Sequence, residues 1–163
     1  MSRHAAVLGL GTRGYGWTAL FRAAGWQVTG FDPESAVTSE GVARETTISA
    51  TVRRAHWIAI CLPERLELLQ KVLQRAQAEA PRDAVFGVVS ARFAIDDVQG
   101  CALRPESVIL VQAKPDGGFA FDVSSKTGPK TRAAAERVLA ELAAHASLTS
   151  GTPRPSSRDA QSA

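Results

Sequence analysis

Cysteine is scarce in this chain: of its 163 residues only Cys61 and Cys101 are thiols. They match neither a zinc-ligand spacing nor a disulfide framework, so reduced thiols and a cytoplasmic protein are expected, with no metal. Clustered charge is lacking too. The net charge of +3 comes from 19 Lys+Arg against 16 Asp+Glu. The basic residues Arg13, Arg22, Arg44, Arg53 and Arg54 are scattered, with no aromatic residues interleaved. A nucleic-acid partner is therefore not expected, despite a pI near 9.2. Long apolar runs are absent as well. Nothing approaches the roughly 20 residues that span a bilayer, and the opening residues lead into a strand pattern without a signal-peptide signature, so no membrane association is expected. There is no internal repeat.

What the chain does have is 45% hydrophobic residues in strand-length and helix-length blocks. A chain of this size can bury roughly 70% of its unfolded surface around one core. Ala5-Ala6-Val7-Leu8 reads as a strand, residues 17–24 as an amphipathic helix, and Gln27-Val28-Thr29-Gly30-Phe31 as a second strand. The Ser/Thr-rich interval 33–51 is weakly patterned; a short helix and a strand at Thr46-Thr47-Ile48 are expected there. Residues 57–62 are apolar on both faces, as a central parallel strand requires. After Pro63 a helix begins, with Leu66, Leu69, Val72, Leu73 and Ala76 along one stripe. Buried strands are expected at 84–89 and 107–111, an edge strand at 119–123, and a last helix at about 130–146 with Ala135, Val138, Leu139 and Leu142 inward. This alternation predicts an α/β, Rossmann-like, doubly wound and mainly parallel sheet in three layers. The domain is expected over 1–148. The tail 149–163 is too polar to offset its ordering entropy and is expected to be disordered.

The first strand runs into VLGLGTRGYG, which sacrifices packing side chains for glycine. The pattern Gly9-x-Gly11-x-x-Gly14 stands where strand becomes helix. There Gly9 permits a tight turn, Gly11 lets a pyrophosphate approach the backbone, and Gly14 lets helix pack closely on strand. The helix N-terminal N–H groups, including those of Thr12 and Arg13, then face the anion. Arg13 suits solvent and a pyrophosphate contact equally. Asp32, at the end of the second strand, is placed to accept hydrogen bonds from ribose hydroxyls, and its charge favours NAD over NADP. Trp17, Trp26 and Trp57 read as packing residues, and His4, His56 and His145 as surface residues away from the strands' carboxyl ends.

The segments VLGLGTRGYGW, GWQVTGFDPESA, AHWIAICLPERLELLQKVL, RPESVILV and FAFDV together resemble the N-terminal, NAD-binding domain of the 3-hydroxyacyl-CoA dehydrogenases and their carnitine dehydrogenase relatives, over most of residues 5–146. The resemblance implies an NAD-dependent oxidoreductase of fatty-acid metabolism. It implies cofactor contacts from Leu62, Pro63 and Glu64, where Glu64 keeps the family's acidic residue near the nicotinamide half. Ser90 survives from the family's serine-rich segment, where it reads as a turn or helix-capping hydroxyl.

The family's proton-taking histidine is not matched. Gln112 stands in its place, Asp122 in that of its glutamate partner, and Phe93 near that of the catalytic serine. An amide cannot take a proton. Lys114, with Asp116 nearby, is the alternative acid/base group, its plainer reading being a solvated loop lysine. The family's helical hairpin shrinks here to the interval 33–51, and its all-helical C-terminal domain is expected to be absent. Two functions therefore stay open. One is an oxidoreductase on a 3-hydroxyacyl or related hydroxy substrate, completed by a homodimer or another subunit. The other is a catalytically inactive NAD(H)-binding sensor or regulatory subunit. A scaffold with a vestigial nucleotide site is a third, weaker option.

Overall fold

The computed structural model describes residues 3–34 and 41–150. Among these residues seven strands form one sheet: β1 His4–Leu8, β2 Gln27–Phe31, β3 Val42–Arg44, β4 Trp57–Ile60, β5 Val85–Val89, β6 Val108–Ala113 and β7 Phe119–Asp122. Their order is β3-β2-β1-β4-β5-β6-β7. All neighbours are parallel except β7, which lies antiparallel on β6 with Val111 opposite Phe121. Among the described residues five α-helices cover the sheet: α1 Thr12–Ala23, α2 Ile48–Val52, α3 Leu66–Glu79, α4 Ile95–Gln99 and α5 Pro129–Ser150. The chain has the expected three-layer, Rossmann-like architecture.

The period-two alternation of the strands divides the interior into two cores. Ala5, Val7, Ala59, Ile109 and Val111 face α1 and α5, where they meet Trp17, Phe21, Leu139 and Leu142. Ala6, Leu8, Ile58, Ile60, Phe86 and Leu110 face the opposite layer, where they meet Leu69, Leu73 and Val98. Being covered on both sides is why β1, β4, β5 and β6 carry nearly unbroken apolar runs. The inward stripe expected for α5 is buried at all four positions, as are all three tryptophans.

Three local expectations shift. The expected strand at Thr46-Thr47-Ile48 is instead the start of α2: Thr47 Oγ1 accepts the Ala50 N–H at 3.0 Å as an N-cap, and the strand lies earlier, at Val42–Arg44. Thr47, one of the β-branched residues that suggested a strand, acts through its hydroxyl instead. Helix α1 starts at Thr12 rather than at residue 17, because buried Gly14 in its first turn is held against the end of β1 by tertiary packing that propensity does not register. Helix α5 continues to Ser150. Residues 35–40 of the weakly patterned interval, and the expected tail from 151 onward, lie outside the described residues.

Candidate functional site

The β1–α1 turn is built from three glycines with different jobs. Gly9 has φ +96, and a Cβ there would lie 2.5 Å from the Cys61 carbonyl oxygen. At Gly14 a Cβ would lie 1.7 Å from the Gly9 carbonyl oxygen, so the glycine lets α1 sit directly on the end of β1. At Gly11 nothing lies within 4 Å of an added Cβ. That position borders open space, and Gly11 is also the N-cap of α1, with no side-chain cap and no acidic residue in the first turn. The helix's leading N–H groups, which have no intrahelical partners, are thus uncapped beside an unobstructed backbone.

This turn borders a cleft of about 660 Å³ at the carboxyl ends of β1, β2 and β4. Seven of the expected residues line it: Gly9, Gly11, Thr12, Arg13, Asp32, Leu62 and Pro63. Phe31, Leu68 and Val72 supply apolar wall that no motif signalled, since Phe31 and Val72 also read as ordinary core and Leu68 falls outside the inward stripe of α3. The Asp32 carboxylate faces the turn, accepting the Leu10 N–H at 2.8 Å on one oxygen and the Glu34 N–H at 2.9 Å on the other. Each oxygen keeps a further lone pair for a ligand hydroxyl. The Arg44 guanidinium donates to the Asp32 carbonyl oxygen at 2.6 Å, bracing the end of β2 against β3.

A second cleft, of about 470 Å³, lies on the other side of the turn, over the ends of β5, β6 and β7. Thr12 and Arg13 line both clefts. Ser90 and Gln112 line the second, walled by Trp17 and Phe119, whose rings lie 4.9 Å apart. Glu64 is in neither lining. Its Oε1 accepts from the Ser90 hydroxyl, from the Ala91 N–H at 2.9 Å and from the Arg92 N–H at 3.3 Å, so it clamps the β5–α4 turn to the β4–α3 turn. Burial would raise its pKa, but the Ser90 hydroxyl, the two amides and the nearby Arg13 charge outweigh burial and hold the carboxyl below its usual range. The Ser90 Oγ also accepts the Arg92 and Phe93 N–H groups, both at 3.1 Å, which is the expected turn-capping role.

The structure does not bring Lys114 or Asp122 into either cleft. Lys114 stands on the exposed β6–β7 turn, its ammonium 3.9 Å from the Asp116 carboxylate, where Gly117 at φ +90 closes the hairpin. Asp122 is exposed on β7. The antiparallel register sets it opposite Leu110 and puts Ala120, not Asp122, opposite Gln112. Phe93 packs against the core beside α3 and α4. Among the residues lining the second cleft, Arg13 is the sole ionisable side chain. No group of three or more metal-ligating side chains occurs among the described residues.

No protein-family model matches the chain. An L-carnitine dehydrogenase/betainyl-CoA thioesterase of Ruegeria pomeroyi is 28% identical over 130 residues, which are 65% of this chain and 27% of that protein. This chain resembles an L-carnitine dehydrogenase. The matched stretch covers well under half of such relatives, 39% in the case of a Streptomyces griseus L-carnitine dehydrogenase at 26% identity. Among solved structures, a (S)-3-hydroxybutyryl-CoA dehydrogenase from Ralstonia eutropha superposes with a TM-score of 0.79 at 14% identity, over 88% of this chain and 62% of that one. Such distant structures establish the fold, and it is the fold of the family that the sequence segments resemble.

Proposed function

We propose that this chain binds NAD(H) across the carboxyl ends of its strands and serves as the nucleotide-binding part of an oxidoreductase acting on a 3-hydroxyacyl or related hydroxy substrate. The observation that carries this reading is the open position at Gly11, at an uncapped helix N-terminus and with the Asp32 carboxylate turned toward the same glycine turn. The relatives named as L-carnitine and 3-hydroxybutyryl-CoA dehydrogenases support the reaction class.

In this reading Gly9, Gly11, Thr12, Arg13 and Gly14 hold the diphosphate, Asp32 the adenosine ribose, and Leu62 and Pro63 the path toward the second cleft. Glu64 and Ser90 hold the loop on which the nicotinamide end would rest. When bound, the nicotinamide supplies the hydride donor or acceptor. Gln112 can donate a hydrogen bond to a substrate oxygen but cannot take its proton. Lys114 and Asp122 line neither cleft, so neither stands at that oxygen. The reading therefore calls on a second copy or another subunit to supply the proton acceptor.

A second reading, an NAD(H)-binding sensor or regulatory subunit without turnover, is favoured by one observation: no lining residue of the second cleft can act as a base near neutral pH. Titration with NADH and NADPH, followed by energy transfer from the tryptophans, tests binding. NADH is expected to bind more tightly than NADPH, Asp32→Ala to narrow that difference, and Gly11→Val to abolish binding. A wild-type chain that binds neither nucleotide overturns both readings. Turnover assays on 3-hydroxyacyl-CoA, carnitine and short hydroxy acids, with and without candidate partner chains, then separate them.

A further inference from the structure

The charges lining the larger cleft fall on two walls. Asp32 and Glu34 stand at the end of β2, while Arg13 and Arg65 stand at the start of α1 and the N-cap of α3. Such a division suits a ligand that presents hydroxyl groups to one wall and negative charge to the other. Of the two arginines, Arg13 also lines the second cleft. It therefore marks the passage that a linker joining two bound moieties must cross. Its Nη2 donates to the Leu62 carbonyl oxygen at 3.3 Å, a long bond made with one of five guanidinium N–H groups. The side chain is exposed, so redirecting it costs one weak contact.

We propose that Arg13 is the residue that makes this cleft selective for a diphosphate, so that the chain tells ADP-like ligands from the bare nucleoside by this guanidinium more than by the helix terminus. The inference rests on the dinucleotide reading and deepens it. The N-terminus of α1 offers amides but only roughly half a unit of positive charge, against the two negative charges of a diphosphate linker. The Glu64 carboxylate, whose ionised form Arg13 favours, lies outside both linings but close enough to Arg13 to interact with it, fixed there by its three donors. Left unopposed, it would repel an incoming anion. Arg13 opposes that charge and presents a fork that fits two phosphate oxygens at once. A shorter or uncharged side chain between Gly11 and Gly14 would leave the amides in place and lose both effects.

The test is calorimetric titration of the full chain with ADP and with adenosine, in wild type, Arg13→Met, Arg13→Lys and Arg75→Met. The last removes an equal charge from the exposed face of α3, outside both clefts. Arg13→Met is expected to raise the ADP dissociation constant about tenfold and to leave adenosine within about twofold. Arg13→Lys should recover part of the loss, and Arg75→Met should change ADP binding by less than about twofold, because it acts only through screened charge. The urea midpoint of each variant confirms folding. Unchanged ADP binding in Arg13→Met, a parallel loss of adenosine, or an equal loss in Arg75→Met overturns the inference while leaving the dinucleotide reading intact. A wild-type chain that binds neither ADP nor adenosine overturns that reading first.

Discussion

Two alanine substitutions three residues apart in the same turn should have opposite consequences. At Gly14 the new methyl would fall 1.7 Å from the Gly9 carbonyl oxygen, a backbone atom that no rotamer change can move. Contact closer than 3.0 Å is not tolerated, so α1 must lift from β1 by more than an ångström. That lift also pulls Trp17, Thr18 and Phe21 away from the sheet, all three of which are buried. The cost should lie at the upper end of the roughly 1–3 kcal/mol seen for overpacked cores, or beyond it. With a urea slope of roughly 2 kcal/mol per M, the midpoint should fall by about 1.5 M. At Gly11 the added methyl meets nothing within 4 Å, and the backbone there, at φ −71, suits any residue. Only the poorer N-cap preference of alanine remains, about 0.5 kcal/mol, a midpoint shift of about 0.3 M or less. The same methyl intrudes on the proposed diphosphate position, so NADH affinity should fall at least about tenfold at Gly11 without loss of fold. Urea unfolding followed by fluorescence of the three buried tryptophans reads stability, and NADH titration reads binding. Equal midpoints for the two variants, or a Gly11→Ala variant less stable than Gly14→Ala, would refute the packing argument.

Other outcomes follow from His4 and Gln99, outside both clefts, and from Cys61, at the wall of the larger one. His4 is held below its ordinary pKa of 6.5, first by burial and then by the Arg54 and His56 charges, with Glu45 opposing them. A lowered folded-state pKa means that the unfolded chain binds more protons just below pH 6.5. Stability should therefore hold above that pH and decline as pH falls below it, and His4→Asn should flatten the decline in urea titrations at pH 7.5 and 5.5. Buried Gln99 donates to the Pro105 carbonyl at 2.9 Å and to Thr127 Oγ1 at 3.1 Å, and accepts from Ser124 Oγ at 2.5 Å. Gln99→Leu strands those partners and should cost on the order of 3 kcal/mol, with faster amide exchange at Ser124; a neutral effect would mean that the network is dispensable. Burial pushes the Cys61 thiol up to about 12, whereas Cys101 is exposed. A thiol reagent at pH 8 should label one cysteine in the folded chain and two in urea; two fast thiols without urea would contradict the burial of Cys61.

Much of the fold is visible in the residues themselves because it is written in local patterns. Residues buried on both faces, as in β4 and β5, must be apolar throughout, and a helix with one covered stripe must repeat every three or four positions. Glycine carries its own signal: Gly9, Gly11 and Gly14 announce the turn, and the coordinates show backbone blocking a side chain at Gly9 and Gly14 and open space at Gly11. Asp32 is legible because the end of β2 lies beside that turn in every sheet of this order.

What sequence spacing could not reveal is how distant segments meet. Glu64 and Ser90 are adjacent only because β4 and β5 are parallel neighbours, so the clamp between their loops has no local signature. Trp17 and Phe119 form one wall because β7 folds back antiparallel beneath α1. That same register, set by a hairpin turn at Gly117, separates Asp122 from Gln112 and leaves Lys114 outside the cleft. The chain's residues alone determined the layers, the alternation of strand with helix and the glycine turn, since each depends on near neighbours. Only the tertiary structure decided which polar groups share a cleft, since strand pairing and hairpin register bring together atoms that the linear chain keeps apart.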